Sequence, residues 1–149
     1  METFYIEKTK AKDTVRLSKL ECACYGYRWH PYANWTWKAI SGYGYAFTAK
    51  TRKGDRIVGG IGAIMTNKGK LYLDSVFVSP AWRGRGIAKL LLKRVAGIAK
   101  RKRLRLEGHV DGTNAPMIKL LGALRFSRGK KAKNYYDEKP ERMYFVYRR

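Results

Sequence analysis

The segment Val76-Phe77-Val78-Ser79-Pro80-Ala81-Trp82-Arg83-Gly84-Arg85-Gly86-Ile87-Ala88 decides how this chain folds. Its apolar start predicts a buried strand, which leads into a glycine-rich turn and then into a helix. Such a turn directs several backbone N–H groups at one point, where the helix dipole adds partial positive charge. Glycine lets the backbone approach a phosphate closely. The segment therefore predicts a pyrophosphate site flanked by Arg83 and Arg85; the alternative is an ordinary strand-to-helix connection.

Downstream of this turn, the pattern predicts a helix, a strand and a second helix. The first helix begins at Gly84 or Arg85 and runs to about Lys100, with apolar residues on one face. Leu104–Val110 alternates as a strand does. Asn114 is placed to cap the second helix, which has Pro116 in its first turn. A final pair of strands covers parts of 126–134 and 142–148.

Upstream of the turn, hairpin signals predict three antiparallel strands at Tyr43–Ala49, Arg56–Met65 and Leu71–Val78. A short strand at residues 4–7 precedes a helix for which Asp13 is a candidate cap. Residues 25–43 are rich in Tyr, Trp and Gly without a clear period, which predicts a loop with broken helical turns. The order of elements indicates an α/β (α+β) domain, in which helices cover a sheet.

Length and composition favour a single domain over residues 1–149. The chain has 149 residues, 45% of them hydrophobic, which is enough to build a core without staples. No run of 18 apolar residues indicates a membrane span, and Met1-Glu2-Thr3-Phe4 does not resemble a secretory signal. Cys22 and Cys24 are too close for an ordinary disulfide, so a reducing cytoplasm is the simplest compartment. With His30 they make a poor metal set, and we expect no metal.

The charge of the chain is its most unusual property. Lys and Arg number 33 against 11 Asp and Glu, a net charge of +22. Residues 1–78 hold 13 basic and 6 acidic side chains, or +7, whereas residues 79–149 hold 20 and 5, or +15. A field of this strength attracts polyanions, which predicts proximity to nucleic acid or to a ribonucleoprotein. A generally basic, soluble surface is the alternative.

The turn and its surroundings resemble motif A of the GNAT acetyltransferase superfamily, which has the pattern Gln/Arg-x-x-Gly-x-Gly/Ala. Arg83, Gly86 and Ala88 fill that pattern here. The strand ending in Val-Ser-Pro, the run Leu90-Leu91-Leu92, and the strand–Asn–helix order downstream also fit. The resemblance is good from about residue 56 to 126 and loose outside that range. It implies a GNAT fold, with a mostly antiparallel mixed sheet, helices on both faces, and splayed strands at a coenzyme site.

The resemblance also implies the contacts with acetyl-CoA. Val76, Phe77 and Val78 would pair with the pantetheine arm, and the Asn114 amide would hold that arm. The pyrophosphate would sit on the amides of the turn and the first helical residues. These turn positions are Arg83, Gly84, Arg85, Gly86, Ile87, Ala88 and Lys89.

Two details resemble protein N-terminal acetyltransferases, including the ribosomal-protein alanine type. Glu107, in Leu-Arg-Leu-Glu, falls where that group carries a general base, and Tyr72 falls where some members place a catalytic tyrosine. Lys-Asn-Tyr-Tyr at 133–136 resembles a segment that lines the peptide site, so Tyr135 and Tyr136 are candidate substrate residues. Glu107 could instead be a solvated charge or pair with a neighbouring arginine, and the two tyrosines could be core aromatics.

The chain departs from the family pattern close to the chemistry. Many members carry a tyrosine seven residues after the conserved Asn, near the thiolate, and this position is Leu121 here. The loop from Glu107 to Asn114 is two residues longer than in the ribosomal type. The usual acid is therefore missing, and Tyr72, Tyr135 and Tyr136 are candidate replacements. His109, on the same strand face as Glu107, is a further candidate base.

The aromatic segment 25–38 permits two interpretations. It could fold over the sheet as core, or it could form an acceptor wall, for which Trp35 is our candidate. Interleaved aromatic and basic residues also suit single-stranded nucleic acid.

Three functions follow from the sequence. The first is acetyl transfer from acetyl-CoA to a protein N-terminus or lysine on a nucleic-acid-associated target. The second is acetylation of aminoacyl-tRNA. The third is a weakly catalytic GNAT fold that binds nucleic acid.

Overall fold

The fold was examined in a computed structural model, which describes residues 2–66, 69–132 and 143–148. Its strands are β1 (Phe4–Lys8), β2 (Gly44–Thr51), β3 (Ile57–Met65), β4 (Lys70–Val78), β5 (Arg105–Asp111), β6 (Phe126–Ala132) and β7 (Met143–Arg148). Its α-helices are α1 (Thr14–Tyr25), α2 (Pro31–Tyr43), α3 (Ile87–Arg101) and α4 (Ala115–Ala123).

The seven strands form one mixed sheet in the order β1-β2-β3-β4-β5-β7-β6. Only β4 and β5 pair in parallel among the described strands, and the other neighbours are antiparallel. The β4–β5 pairing joins residues 70–73 to residues 105–108 and then stops. Beyond Leu73, β4 continues to Val78 with β3 as its only described strand partner. This confirms the predicted fold class, including the splayed strands.

Helices cover both faces of the sheet. On one face, α3 buries Leu91, Leu92 and Val95 in the larger core. On the other face, Leu17 of α1 and Trp37 of α2 pack with Phe77 of β4. The two helices approach β3 so closely that a Cβ on one glycine of this strand, Gly60, would lie 2.7 Å from Leu17 Cδ1. The glycines of β3 therefore set the depth of this second core.

The region predicted to be an irregular loop is mostly helical, so that prediction was wrong. α1 continues to Tyr25 and ends at Gly26, whose φ of 73° suits a left-handed helix cap. α2 then spans residues 31–43, with Pro31 in its first turn and the His30 ring accepting a hydrogen bond from the Tyr32 amide. Aromatic residues on the solvent side of α2 had masked its helical period.

Two predicted helix starts also need correction. α3 begins at Ile87 and not at Gly84 or Arg85, because Gly84 and Gly86 have φ values of 75° and 78°. Asp13 precedes α1 but makes no side-chain cap hydrogen bond. Its carboxylate is fully buried, 2.5 Å from Lys50 Nζ. Asp13 therefore neutralises a buried lysine.

Candidate active site

A cavity of about 590 Å³ lies beside the end of β4, the glycine-rich turn, the start of α3 and the start of α4. Ten of the predicted coenzyme residues line it: Val76, Phe77, Val78, Arg83, Gly84, Gly86, Ile87, Ala88, Lys89 and Asn114. The structure thus brings together residues from three separate stretches of the chain. Arg85 is not among the lining residues, and its guanidinium carbon lies 4.2 Å from the ring centroid of Trp82.

The turn presents backbone donors to this cavity. The first N–H groups of any α-helix have no acceptor within the helix, and the Leu90 amide is the first in α3 to reach back, to Gly86 O at 3.0 Å. Gly84 and Gly86 adopt the left-handed conformation that L-residues with a Cβ disfavour. Lys89 adds a cation at the cavity wall. The arrangement suits a bound pyrophosphate, as the turn predicts.

The edge of β4 that borders the cavity carries outward-facing backbone groups. The Ser79 amide donates to Val58 O on β3 at 2.8 Å. Strand alternation then directs the backbone groups of Val78 and Val76 away from β3, toward the gap that β5 leaves. An extended ligand in this gap can pair with β4 as a neighbouring strand would.

Two backbone carbonyl oxygens on this edge of β4 accept hydrogen bonds from side chains. The Tyr25 hydroxyl donates to Val76 O at 3.0 Å, and Arg83 Nε donates to Val78 O at 3.1 Å. Cys24 Sγ lies 3.7 Å from the same Val78 oxygen. Burial raises the pKa of the Tyr25 phenol, so the group is protonated at neutral pH. Tyr25 is therefore a hydrogen-bond donor inside the cavity.

Sequence reasoning missed six residues of the cavity wall, which are Cys24, Tyr25, Trp82, Pro116, Met117 and Leu120. Trp82, Pro116 and Met117 adjoin predicted positions and could have been included on that ground. Cys24 and Tyr25 carry no such signal, because α1 reaches β4 across about fifty residues of sequence. Their role depends on how the helix crosses the sheet.

A tyrosine and a histidine meet on the sheet face opposite α3. The Tyr72 hydroxyl lies 2.8 Å from His109 Nδ1, which joins β4 to β5 just before the two strands separate. Leu71, Leu73 and Leu106 point into the α3 core, so alternation places Tyr72 and His109 on the other face. Burial lowers the pKa of His109, although the Glu107 carboxylate opposes that shift. The imidazole is thus neutral at pH 7 and able to accept a proton.

Glu107 lies beside this pair, in register with Tyr72. It is buried, and its oxygens lie 3.4 Å from Lys70 Nζ and 3.5 Å from Arg105 Nε. Oε2 has no hydrogen-bond partner among the described residues. Glu107 therefore pairs with neighbouring cations, as its alternative interpretation predicts, and it also supplies negative charge next to His109.

Position 121 confirms the departure at the acid. Leu121 is 3% exposed and packs in the core under α4. It does not line the cavity. Among the described residues, Tyr25 is the phenol that does. Asn114 lines the cavity too, and its Oδ1 accepts from the Met117 amide at 3.3 Å, so it also caps α4.

The predicted acceptor residue that the structure describes, Trp35, lies away from the coenzyme cavity. Trp35 is 58% exposed on α2, where its ring packs edge-on against Tyr32 at 5.1 Å, and it does not line the coenzyme cavity. Tyr135 and Tyr136 lie outside the described residues.

The described residues contain neither a metal-binding cluster nor a membrane-spanning helix. No group of three or more His, Cys, Asp or Glu side chains among them is placed to hold a metal ion. No helix in that part of the chain is both long and apolar enough to span a membrane.

The model of the acetyltransferase (GNAT) family matches residues 14–126. That match spans the first two helices, the cavity and the Tyr72–His109 pair. No curated protein sequence matches the chain.

Solved structures share the whole fold. Arabidopsis thaliana Naa50, in complex with the bisubstrate analogue CoA-Ac-MVNAL, has 21% identity and a TM-score of 0.80, with 98% of each chain covered. The ribosomal-protein-S18-alanine N-acetyltransferase of Escherichia coli has 20% identity and a TM-score of 0.78, covering 98% of this chain and 93% of its own. Arabidopsis thaliana NAA60 with acetyl-CoA has 17% identity and a TM-score of 0.79, covering 97% and 98%.

Proposed function

This chain belongs to the GNAT acetyltransferase family, and from that premise we propose that it moves the acetyl group of acetyl-CoA onto the α-amine of a protein N-terminus. The observation that carries the proposal is the cavity where β4 and β5 separate. It combines outward-facing strand groups at Val76 and Val78 with a glycine turn at a helix N-terminus. A pantetheine arm and a pyrophosphate need those two features in that order.

The coenzyme would lie along the cavity from the turn to the strand gap. Its pyrophosphate would accept from amides between Gly84 and Lys89, and its pantetheine would pair with Val76 and Val78. Asn114, across the cavity on α4, would hold the arm from the other side. The thioester would then reach the gap near Tyr72 and His109, where the acceptor amine arrives from the α1–α2 face.

His109 is the best-placed proton acceptor. An ammonium must lose a proton before its nitrogen can attack the thioester carbon, and a neutral imidazole can take that proton. Tyr72 can relay the proton from the amine to His109, since its hydroxyl lies 2.8 Å from His109 Nδ1. Glu107 would keep the imidazole basic through its charge. We therefore assign the base role to His109 and a supporting role to Glu107.

Tyr25 is the best-placed proton donor for the departing thiolate. When the amine nitrogen bonds to the carbonyl carbon, the carbon–sulfur bond breaks and the sulfur carries the negative charge. Leu121 has no hydroxyl, whereas the protonated Tyr25 phenol lines the coenzyme cavity next to Val76. The proton would pass from Tyr25 to sulfur, and the second proton that the nitrogen loses as it becomes an amide nitrogen would return to Tyr25 through solvent.

An N-terminal α-amine is preferred as the acceptor for two reasons. The solved structures of similar fold include Naa50 with the bisubstrate analogue CoA-Ac-MVNAL and a ribosomal-protein-S18-alanine N-acetyltransferase. The net charge of +22 also suits a target that travels with nucleic acid, such as a ribosomal protein. The same charge suits aminoacyl-tRNA, which remains the second candidate acceptor, and we keep the expected site of action in the cytoplasm.

Mass spectrometry of a cell lysate tests this proposal. Proteins and tRNA are incubated together with the purified protein and isotope-labelled acetyl-CoA, with the Tyr72→Phe variant as the control. Label on protein N-termini that the variant fails to add supports the proposal. Label confined to lysine side chains or to aminoacyl-tRNA would contradict the proposed acceptor and identify the labelled group as the acceptor instead. No label, despite measured coenzyme binding, would leave a nucleic-acid-binding GNAT fold.

A further inference from the structure

A second depression lies on the opposite side of α3 from the coenzyme cavity, between that helix and strand β1. It measures about 480 Å³, and its walls carry Lys93, Arg94 and Arg101 of α3. Phe4, Ile6 and Leu90 line its apolar floor, and Tyr5 and Gly97 complete the lining. We call it the α3–β1 groove. No acidic residue is among those that line it.

The cations of this groove form no ion pair with a described side chain, and the guanidinium carbon of Arg94 lies 5.4 Å from the centroid of the Phe47 ring. Residues 75–106 contain ten Lys or Arg and no Asp or Glu. Only Arg83 and Lys89 of these ten line the coenzyme cavity. Lys93, Arg94 and Arg101 are exposed, and none forms an ion pair with a side chain that the structure describes. The three cations therefore face solvent together along one side of a helix.

The groove has an apolar floor as well as charged walls. Leu90 is 46% exposed, whereas the next two leucines of α3, Leu91 and Leu92, are fully buried. Gly97, between the cations, has no side chain to fill the space. A ligand that carries only charge, such as a free phosphate, would leave this apolar surface uncovered. A ligand with both phosphates and flat apolar rings would cover it.

The third wall of the groove is the outer edge of β1, which pairs with no further strand among the described residues. β1 ends the sheet, with only β2 as a described neighbour. Thr3 O and Thr9 N bond toward β2, so alternation turns the backbone groups of Phe4 and Ile6 outward, at the groove. These N–H groups can donate to phosphates. The carbonyl groups need donors, which base amino groups and ribose 2′-hydroxyls supply.

We propose that the α3–β1 groove binds a single strand of RNA. Its phosphates would lie on Lys93, Arg94 and Arg101, its bases on Phe4, Ile6 and Leu90, and its 2′-hydroxyls at the edge of β1. Lys93 and Arg101 are eight residues apart, about 12 Å along a helix, which spans roughly two nucleotides. The groove and the acetyl-transfer cavity use different sides of α3, so the inference does not depend on the proposed function.

Fluorescence anisotropy with a fluorescein-labelled 12-nucleotide RNA of mixed sequence tests the proposal. The groove variant combines Lys93→Gln, Arg94→Gln and Arg101→Gln. The matched control combines Lys12→Gln, Lys38→Gln and Lys53→Gln, which removes the same charge from exposed positions elsewhere. We expect the groove variant to lose at least about tenfold in affinity and the control less than about threefold. The salt slope should fall by about 2 in the groove variant, since each lost contact removes about 0.7.

Three comparisons could overturn the proposal. Equal losses of RNA affinity in both variants would mean that only the net charge of the protein, and not the groove, determines RNA binding. Equal binding of single-stranded DNA, or of duplex RNA, would remove the role given to the 2′-hydroxyls or to the apolar floor. Displacement of the RNA by polyglutamate at equal charge concentration would indicate an acidic protein as the ligand. Unchanged thermal melting and acetyl-CoA binding of the groove variant show that it is folded.

Discussion

Tyr72 and His109 come from strands that pair in parallel for only four residues, and their side chains meet at 2.8 Å. The contact stands at the last point where β4 and β5 are joined. A proton can thus pass between two strands at the mouth of the gap that the coenzyme is proposed to fill.

The first prediction separates His109 from Glu107 as the base. His109→Gln should lower kcat by at least about 100-fold, because general-base catalysis is lost. The pKa of His109 is lowered by burial, so the acidic limb of the wild-type kcat/KM profile should lie below the ordinary histidine value of about 6.5. Glu107→Gln should move that limb to still lower pH, since the carboxylate raises this pKa.

Steady-state kinetics between pH 5 and 9 check these shifts. Glu107→Asp, which keeps the charge, serves as the matched control and should leave the limb close to its wild-type position. If Glu107→Gln abolishes activity and the limb together, Glu107 is the base and the assignment to His109 is wrong.

The second prediction concerns Tyr25. Its hydroxyl occupies Val76 O, which the pantetheine arm is proposed to use. Tyr25→Phe should therefore tighten acetyl-CoA binding by about 2- to 10-fold, the value of one hydrogen bond of about 0.5–1.5 kcal/mol. The same variant should lower kcat, because the thiolate loses its donor. Affinity and turnover thus move in opposite directions.

Isothermal titration calorimetry and single-turnover kinetics measure the two effects. Tyr27→Phe is the control, since Tyr27 is 71% exposed and does not line the cavity. A Tyr25→Phe enzyme with unchanged affinity and unchanged turnover would contradict both roles of the hydroxyl.

The third prediction concerns the glycine turn. Gly86→Glu should reduce acetyl-CoA affinity by more than about 100-fold, because a carboxylate and a strained left-handed residue replace the pyrophosphate site. Gly54→Glu provides a matched control, because Gly54 has a φ of 82° and lies in an exposed hairpin turn outside the cavity. Both variants add the same charge and a similar strain. Equal coenzyme binding by the two variants would rule out the turn as the phosphate site.

The fourth prediction concerns stability and its pH dependence. Asp13→Asn should lower the free energy of unfolding by about 3 kcal/mol, because it breaks a buried pair and leaves Lys50 with Glu7, at 2.7 Å, as its remaining carboxylate partner. Glu2→Gln should cost less than about 1 kcal/mol, because its ion pair with Arg56 is exposed. Urea titrations of the two variants check the difference, and similar losses would contradict the role given to the buried pair.

The same network predicts an acid limb of stability. Burial opposes the ionisation of Asp13, yet hydrogen bonds from Lys50 and Arg16 outweigh it and hold its pKa below the ordinary value. Hydrogen bonds from Lys50 and Lys10 also lower the pKa of Glu7. The unfolded chain therefore takes up protons first, so this stabilisation is complete above about pH 5 and is lost below about pH 4. Urea titrations between pH 3 and 7 should show that loss in the wild type and a smaller loss in Asp13→Asn, which keeps the contribution of Glu7.

The site was predictable where it depends on local sequence. Gly84 and Gly86 between a strand and a helix mark the turn, and Asn114 before Pro116 marks the start of α4. Each of these residues acts through its own backbone or through the first turn of its helix, so spacing alone indicates its place. Arg85 shows the limit, because its side chain packs on the ring of Trp82 and does not line the cavity.

By itself, the sequence determined the strand order along the chain, the turn, and the absence of a hydroxyl at position 121. These properties follow from hydrophobic period, glycine conformation and residue identity. Only the tertiary structure decided that Tyr25 reaches Val76, that Tyr72 meets His109, and that three cations of α3 face the outer edge of β1. Those contacts join residues far apart in the chain, and their geometry depends on how helices cross the sheet and where β4 and β5 part.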